Sequence, residues 1–134
     1  PAQAAERALL LGDARRDLLP RLQPILDHAE LAHLQAQVPK VRASDALVDY
    51  VLRLVEATRS QPQFAWGLSP RASLALLAAA RAWALLAERD YVIPEDVQAV
   101  LPSVVGHRLR ERADPAGHGG GSLVQWLLRE VPAL

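Results

Sequence analysis

Apolar residues return along this chain at intervals of three and four, and prolines, glycines and short polar runs cut the pattern into blocks. No stretch alternates apolar and polar positions for the length of a strand. The pattern therefore predicts an all-α fold, a small bundle of about five to six helices with room for one minor extended segment. The first block, PAQAAERALLL, runs from Pro1 to a stop at Gly12, after which Pro20 and Pro24 predict an irregular, partly extended path. In DHAELAHLQAQV, Asp27 and Glu30 make a capping-box pattern, Leu31, Leu34 and Val38 recur at helical spacing, and Pro39 ends the helix. KVRA is short and extended, suited to an isolated β-bridge.

The clearest amphipathic helix is SDALVDYVLRLVEATRS. Ser44 caps it, Leu47, Val48, Val51, Leu54, Val55 and Thr58 form its apolar face, and Asp49 with Arg53 make a favourably oriented i,i+4 pair. The loop QPQFAWG carries aromatics of buried type. A helix from about Pro70 to Glu88 follows, capped by Ser69. It is apolar nearly all round, which predicts a central helix contacted on several sides. RDYV leads to another helix with Pro94, Glu95 and Asp96 in its first turn and Val97, Val100, Leu101, Val104 and Val105 on one face, where Pro102 is expected to kink or split it. GHGGGS reads as a flexible turn, and SLVQWLLREV as a short last helix docking through Leu123, Trp126 and Leu127.

Composition narrows the classes. The chain has 134 residues, 51% of them hydrophobic, enough for one helical domain spanning 1–134 with a real core. There is no cysteine, hence no disulfide and no thiolate chemistry. The formal net charge is zero, which weakens nucleic acid or an anionic membrane as the main partner. No apolar run approaches the ~20 residues that cross a bilayer, so no membrane span is expected. A chain that starts at Pro1 and lacks methionine is expected either to have lost its initiator or to be a domain of a longer polypeptide.

Few residues offer chemistry. Lys40 is the only lysine, followed by Val41 and preceded by AQVP, so the chain holds no standard P-loop. His28 and His33 do not share a helix face, and His107 and His118 have no matching ligands nearby in sequence, so no metal site is expected. Glu95 and Asp96 fit a charged first helical turn. The arginines of HRLRER, Arg108, Arg110 and Arg112, suit a helix end or phosphate contacts. Arg71 is different. It sits in the first turn of its helix, where the dipole disfavours a cation. Either the side chain bends away to an acidic partner, or helix start and guanidinium together receive an anion, for which phosphate is the usual occupant.

GLSPRASLALLAAARAWALLAERDYVIPEDVQAVLPSVVGHRLR resembles the C-terminal lid domain of bacterial MoxR-type AAA+ ATPases. The Gly-x-Ser-Pro-Arg-Ala motif falls on Gly67, Ser69, Pro70, Arg71 and Ala72. Ala-Arg-Ala falls on 80–82, Arg-Asp-Tyr-Val on 89–92, Pro-x-Asp-Val on Pro94, Asp96 and Val97, and His-Arg-Leu on 107–109. Upstream, Val-x-x-Ser-Asp and Thr-Arg are also in place, so the resemblance extends over essentially the whole chain. Ile93 departs from the threonine of many relatives, so that helix is expected to lack a side-chain cap, and ERADPAGHGGGSLVQWLLREV matches only in outline.

The resemblance implies that Arg71 is the sensor 2 arginine, reaching the γ-phosphate of ATP bound on a preceding α/β core, and that Tyr50 flanks the adenine. It implies ATP with magnesium as cofactor, held mainly by that core, with none expected for this chain alone. Walker A, Walker B, sensor 1 and the arginine finger have no counterpart here, so the chain alone is expected not to hydrolyse ATP. It further implies a cytoplasmic, hexameric ATPase, in which the lid touches its own core and neighbouring subunits. Lid rotation on hydrolysis would then drive chaperone-like remodelling, or metal-centre assembly, of a client protein. On the residues alone a stand-alone helical protein-interaction domain remains open, with Arg71 as a surface ion-pair partner. So does a nucleic-acid binder using Arg108, Arg110 and Arg112, against which the zero net charge counts.

Overall fold

A computed structural model describes residues 19–113 and 120–133, together with Gln3, Ala4, Arg7 and Leu10. Among these residues it holds five α-helices of stated bounds, three single 3-10 turns and two isolated β-bridges, with no strand. The fold class is all-α, as the hydrophobic spacing predicts. The chain divides into two compact units, Pro1–His33 and Leu34–Leu134. In the first unit the described residues of the opening block are helical, and Leu19–Arg21 is a 3-10 turn around Pro20. The capping box forms as expected: Glu30 N–H donates to the Asp27 carboxylate at 2.7 Å, and Asp27 N–H donates to the Glu30 carboxylate at 2.7 Å. It opens α1 (His28–Gln37), whose residues are not buried, including the apolar Leu31 and Leu34.

The second unit carries the core. After the turn Val38–Lys40, Arg42 bridges in parallel to Tyr91, with Arg42 N–H donating to Asp90 O at 2.8 Å and Val92 N–H to Arg42 O at 2.9 Å. This is the minor extended segment. Helix α2 (Asp45–Ser60) starts at Ser44, whose hydroxyl accepts from Leu47 N–H. Its buried stripe is Leu47, Tyr50, Val51, Leu54, Val55 and Thr58. Tyr50 takes the place expected for Val48, because positions 47, 50/51, 54/55 and 58 lie on one helical face. The expected Asp49–Arg53 pair is not formed. Arg53 Nη2 instead donates to the carbonyls of Pro132 and Ala133, tying α2 to the end of the chain.

Helix α3 (Pro70–Leu86) buries a stripe of Ala72, Leu76, Ala80 and Ala84 and packs most extensively on α4 (Pro94–Val105). Three alanines in that stripe let the two helices approach closely. As its composition predicts, α3 is contacted on several sides, by α4, α2 and the Val38–Lys40 turn, but it is not enclosed: Leu74, Trp83 and Leu86 are at least half exposed. Helix α3 ends in a Schellman arrangement. Arg89 N–H reaches Ala84 O and Glu88 N–H reaches Leu85 O, with Glu88 in the left-handed region at φ 57°.

Helix α4 is not split at Pro102 but runs on to Val105. The proline is exposed and lies in the last turn, so its missing N–H costs one bond where water is at hand. Helix α5 (Gly120–Glu130) then closes the unit with Leu123, Val124 and Leu127 buried, and Trp126 packs edge-on against Phe64 at a centroid distance of 5.7 Å. Gly120, Gly121 and Ser122 of the GHGGGS stretch belong to α5 and not to a turn, while His118 and Gly119 lie outside the described residues. Gly120 is needed here: a Cβ would overlap the Gly106 carbonyl, so only glycine lets the two backbones cross.

Candidate functional site

The start of α3 is built by its capping residue and held by the end of α2. Ser69 has extended backbone, and its hydroxyl and carbonyl both lie near Ala72 N–H, at 3.4 and 2.9 Å. Pro70 fills the first helical position, where no N–H is required. Gly67 allows the approach to α2, since a Cβ on it would lie 2.9 Å from Arg59 Cα. The backbone of Leu68 is bonded through both its polar groups: Leu68 N–H donates to Thr58 Oγ1 at 2.9 Å, and Arg59 Nε donates to Leu68 O at 3.0 Å. Gly67, Thr58 and Arg59 thus gain roles that spacing along the chain does not reveal.

Arg71 stands in the second helical position, exposed, with no acidic residue in the first turn. Neither its guanidinium nor its backbone N–H has a hydrogen-bond or salt-bridge partner among the described residues. Among the described residues the Arg71 side chain meets no acidic partner. The Arg71 N–H in the capped first turn and the adjacent guanidinium, both without a partner among the described residues, form an anion-receptive corner. The fit to a nucleotide is partial: one cation for a triphosphate, no glycine-rich cradle, and Lys40 in the Val38–Lys40 turn.

The other candidate residues are placed otherwise. Tyr50 is 0% exposed, and its hydroxyl accepts from Gln98 Nε2 at 3.3 Å. It has no ring face open to a ligand, because it fills the core stripe of α2. Arg110 Nη1 donates to the His107 and Leu109 carbonyls, Arg112 Nη2 to Phe64 O, and Arg108 Nε to His107 Nε2. The Arg108 and Arg110 side chains thus bond within the segment after α4, while Arg112 and two backbone bonds, Ala65 N–H to Arg110 O and Arg112 N–H to Gln63 O, brace that segment against the Gln63–Ala65 loop, where Phe64 bridges to Glu111. No group of three potential metal ligands occurs among the described residues.

Asp96 is more than a charged first turn. It is 2% exposed and forked by Arg89, Nη1 to Oδ2 at 2.7 Å and Nη2 to Oδ1 at 2.5 Å, and it accepts from Ile93 N–H at 2.9 Å. Burial pushes its pKa up, but the Arg89 fork and the Ile93 N–H outweigh that and hold the carboxyl below its ordinary value. Ile93 itself offers no side-chain cap, as expected. The Arg-Asp-Tyr-Val and Pro-x-Asp-Val stretches are thus one structural joint between α3 and α4.

The chain belongs to the AAA lid domain family, whose model matches residues 56–125. The lid is of the MoxR type of AAA+ ATPase. It is 46% identical over 99 residues to the chaperone MoxR1 of Mycobacterium tuberculosis, covering 67% of this chain and 26% of that protein. It is 39% identical over 101 residues to the protein MoxR of Paracoccus denitrificans, covering 65% and 30%. It is also 38% identical over 110 residues to the uncharacterized protein YeaC of Bacillus subtilis, covering 82% and 34%. A crystal structure from Cytophaga hutchinsonii assigned as an ATPase superposes with a TM-score of 0.73 at 29% identity, covering 82% of this chain and 37% of that one. The chain thus spans between a quarter and about a third of the length of these curated relatives. No helix among the described residues is long and apolar enough to cross a membrane.

Proposed function

We propose that this domain is the nucleotide-sensing lid of an ATP-hydrolysing machine, with Arg71 as the sensor 2 residue. The observation that carries this is the exposed Arg71 at a capped helix start, without a partner among the described residues. In this reading a P-loop core on the same polypeptide holds ATP and magnesium, and residues 1–134 form the lid. Arg71 places its guanidinium on the γ-phosphate oxygens, neutralising charge that grows there during phosphoryl transfer. When that phosphate is gone the contact is lost and the lid is free to turn about its junction with the core. The work is remodelling, or metal-centre assembly, of a client protein in the cytoplasm by a ring of such subunits, six in the MoxR pattern. The likeness to a protein named a chaperone supports this.

The test is steady-state ATP hydrolysis by a protein carrying the P-loop core ahead of this lid. Arg71→Ala should lower kcat by about 10²-fold or more while leaving the helical circular dichroism and the melting curve unchanged. Arg71 is exposed and bonded to nothing among the described residues, so none of their contacts is lost with it. Unchanged turnover would remove the sensor role and favour a stand-alone interaction domain.

A further inference from the structure

Two consecutive residues at the end of α2 grip the backbone of a single residue, Leu68, by its N–H and its carbonyl. Thr58 is 1% exposed, and its hydroxyl is used twice: it donates to Val55 O at 2.6 Å and accepts from Leu68 N–H at 2.9 Å. Arg59 lays its stem across Gly67 and donates from Nε to Leu68 O at 3.0 Å. Leu68 is itself buried, and the next residue, Ser69, caps α3. Only Ser69 and Pro70 then separate the gripped residue from Arg71. The loop between α2 and α3 is otherwise tied at Phe64 and Ala65, to the segment after α4. The grip on Leu68 is therefore the last bond between the body of the domain and the helix start that carries the guanidinium.

We propose that Thr58 and Arg59 are positioning residues for Arg71. They fix where α3 begins and the direction in which the Arg71 side chain leaves the domain, and they touch no nucleotide themselves. The proposal rests on the sensor role assigned to Arg71 above. A guanidinium that must meet phosphate oxygens in a narrow geometry needs its helix start fixed closely, because small misplacements cost much of the rate.

Thr58→Val keeps the shape and removes both bonds of the hydroxyl, whereas Thr58→Ser keeps them. In the 134-residue chain, hydrogen exchange at the Leu68, Ala72 and Ser73 amides should quicken about tenfold or more in Thr58→Val. It should stay near wild type in Thr58→Ser, with the mid-helix amides of Leu54 and Leu76 unaltered in both. In the protein carrying a P-loop core, Thr58→Val should lower kcat about tenfold and Thr58→Ser should restore it. In an Arg71→Ala background Thr58→Val should have no further effect on kcat, because the residue it positions is gone. Should Thr58→Val fail to fold, Arg59→Lys, which keeps the charge but loses the Nε donor, should show the same pattern. Unaltered exchange at the α3 start overturns the grip, and multiplicative losses with Arg71→Ala overturn its link to Arg71. If exchange responds while Arg71→Ala leaves kcat unchanged, the sensor role has failed and the positioning role falls with it, though the grip itself stands.

Discussion

Asp96 and Arg89 show what one buried charge does in a small helical domain. The carboxylate is nearly inaccessible, yet it accepts two guanidinium bonds and one backbone bond, so its charged form is favoured in the folded state. Its folded pKa lies below the unfolded value of about 4. The stability it contributes is therefore fully present above about pH 4 and lost as the pH falls through the lowered folded value. Asp96→Asn should be less stable than the parent at pH 7, and the gap should narrow as the pH falls below about 4. Urea melts at several pH values check this, and a gap independent of pH would contradict it. Adjacent carboxylates at 95 and 96 are in sequence a charged first turn. Only the turn-back at Glu88, which brings Arg89 onto Asp96, separates the two roles, and that fold-back is not written in local spacing.

At the scale of elements, what was legible in the chain was what is decided within one helical turn. The Asp27–Glu30 box and the Ser44 and Ser69 caps all follow from side chains three residues from the N–H they satisfy. What was not legible depends on a partner distant in sequence. Tyr50 reads as a free aromatic until the whole α2 stripe is seen to face the core, and Arg53 reads as a partner of Asp49 until the chain end arrives beside it. Helix α3 reads as contacted on several sides and is, but nothing in its sequence marks Leu74, Trp83 and Leu86 as the positions left at least half exposed. Gly120 is a further case. It looks like one of a flexible run, but a Cβ there meets the Gly106 carbonyl, whereas one at Gly121 meets nothing within 4 Å. Gly120→Ala should cost about 2 kcal/mol by forcing α5 off the turn after α4, and Gly121→Ala should be neutral or slightly stabilising. Equal effects of the two in denaturant melts would contradict the close crossing.

On the scale of the molecule, the lid has a well-built core and presents at the start of α3 a charged group with no partner among the described residues. Thr58, Arg59, Gly67 and Ser69 all serve to begin α3 at a fixed place, and the group they present is Arg71. The local sequence already marked Arg71 as misplaced against its helix dipole, and the structure sharpens this by leaving it exposed, with no partner among the described residues. The anion it suits must come from outside these residues, since they hold no phosphate cradle. The sensing account makes a specific demand: Arg71 must distinguish a nucleotide with a γ-phosphate from one without. The direct measurement is calorimetric titration, with magnesium, of a protein joining a P-loop core to this lid, using ADP and a non-hydrolysable ATP analogue. Arg71→Ala should weaken the ATP analogue about tenfold or more and leave ADP unchanged, as expected for one lost charge-assisted contact. Equal affinities of variant and parent for both nucleotides would contradict the account.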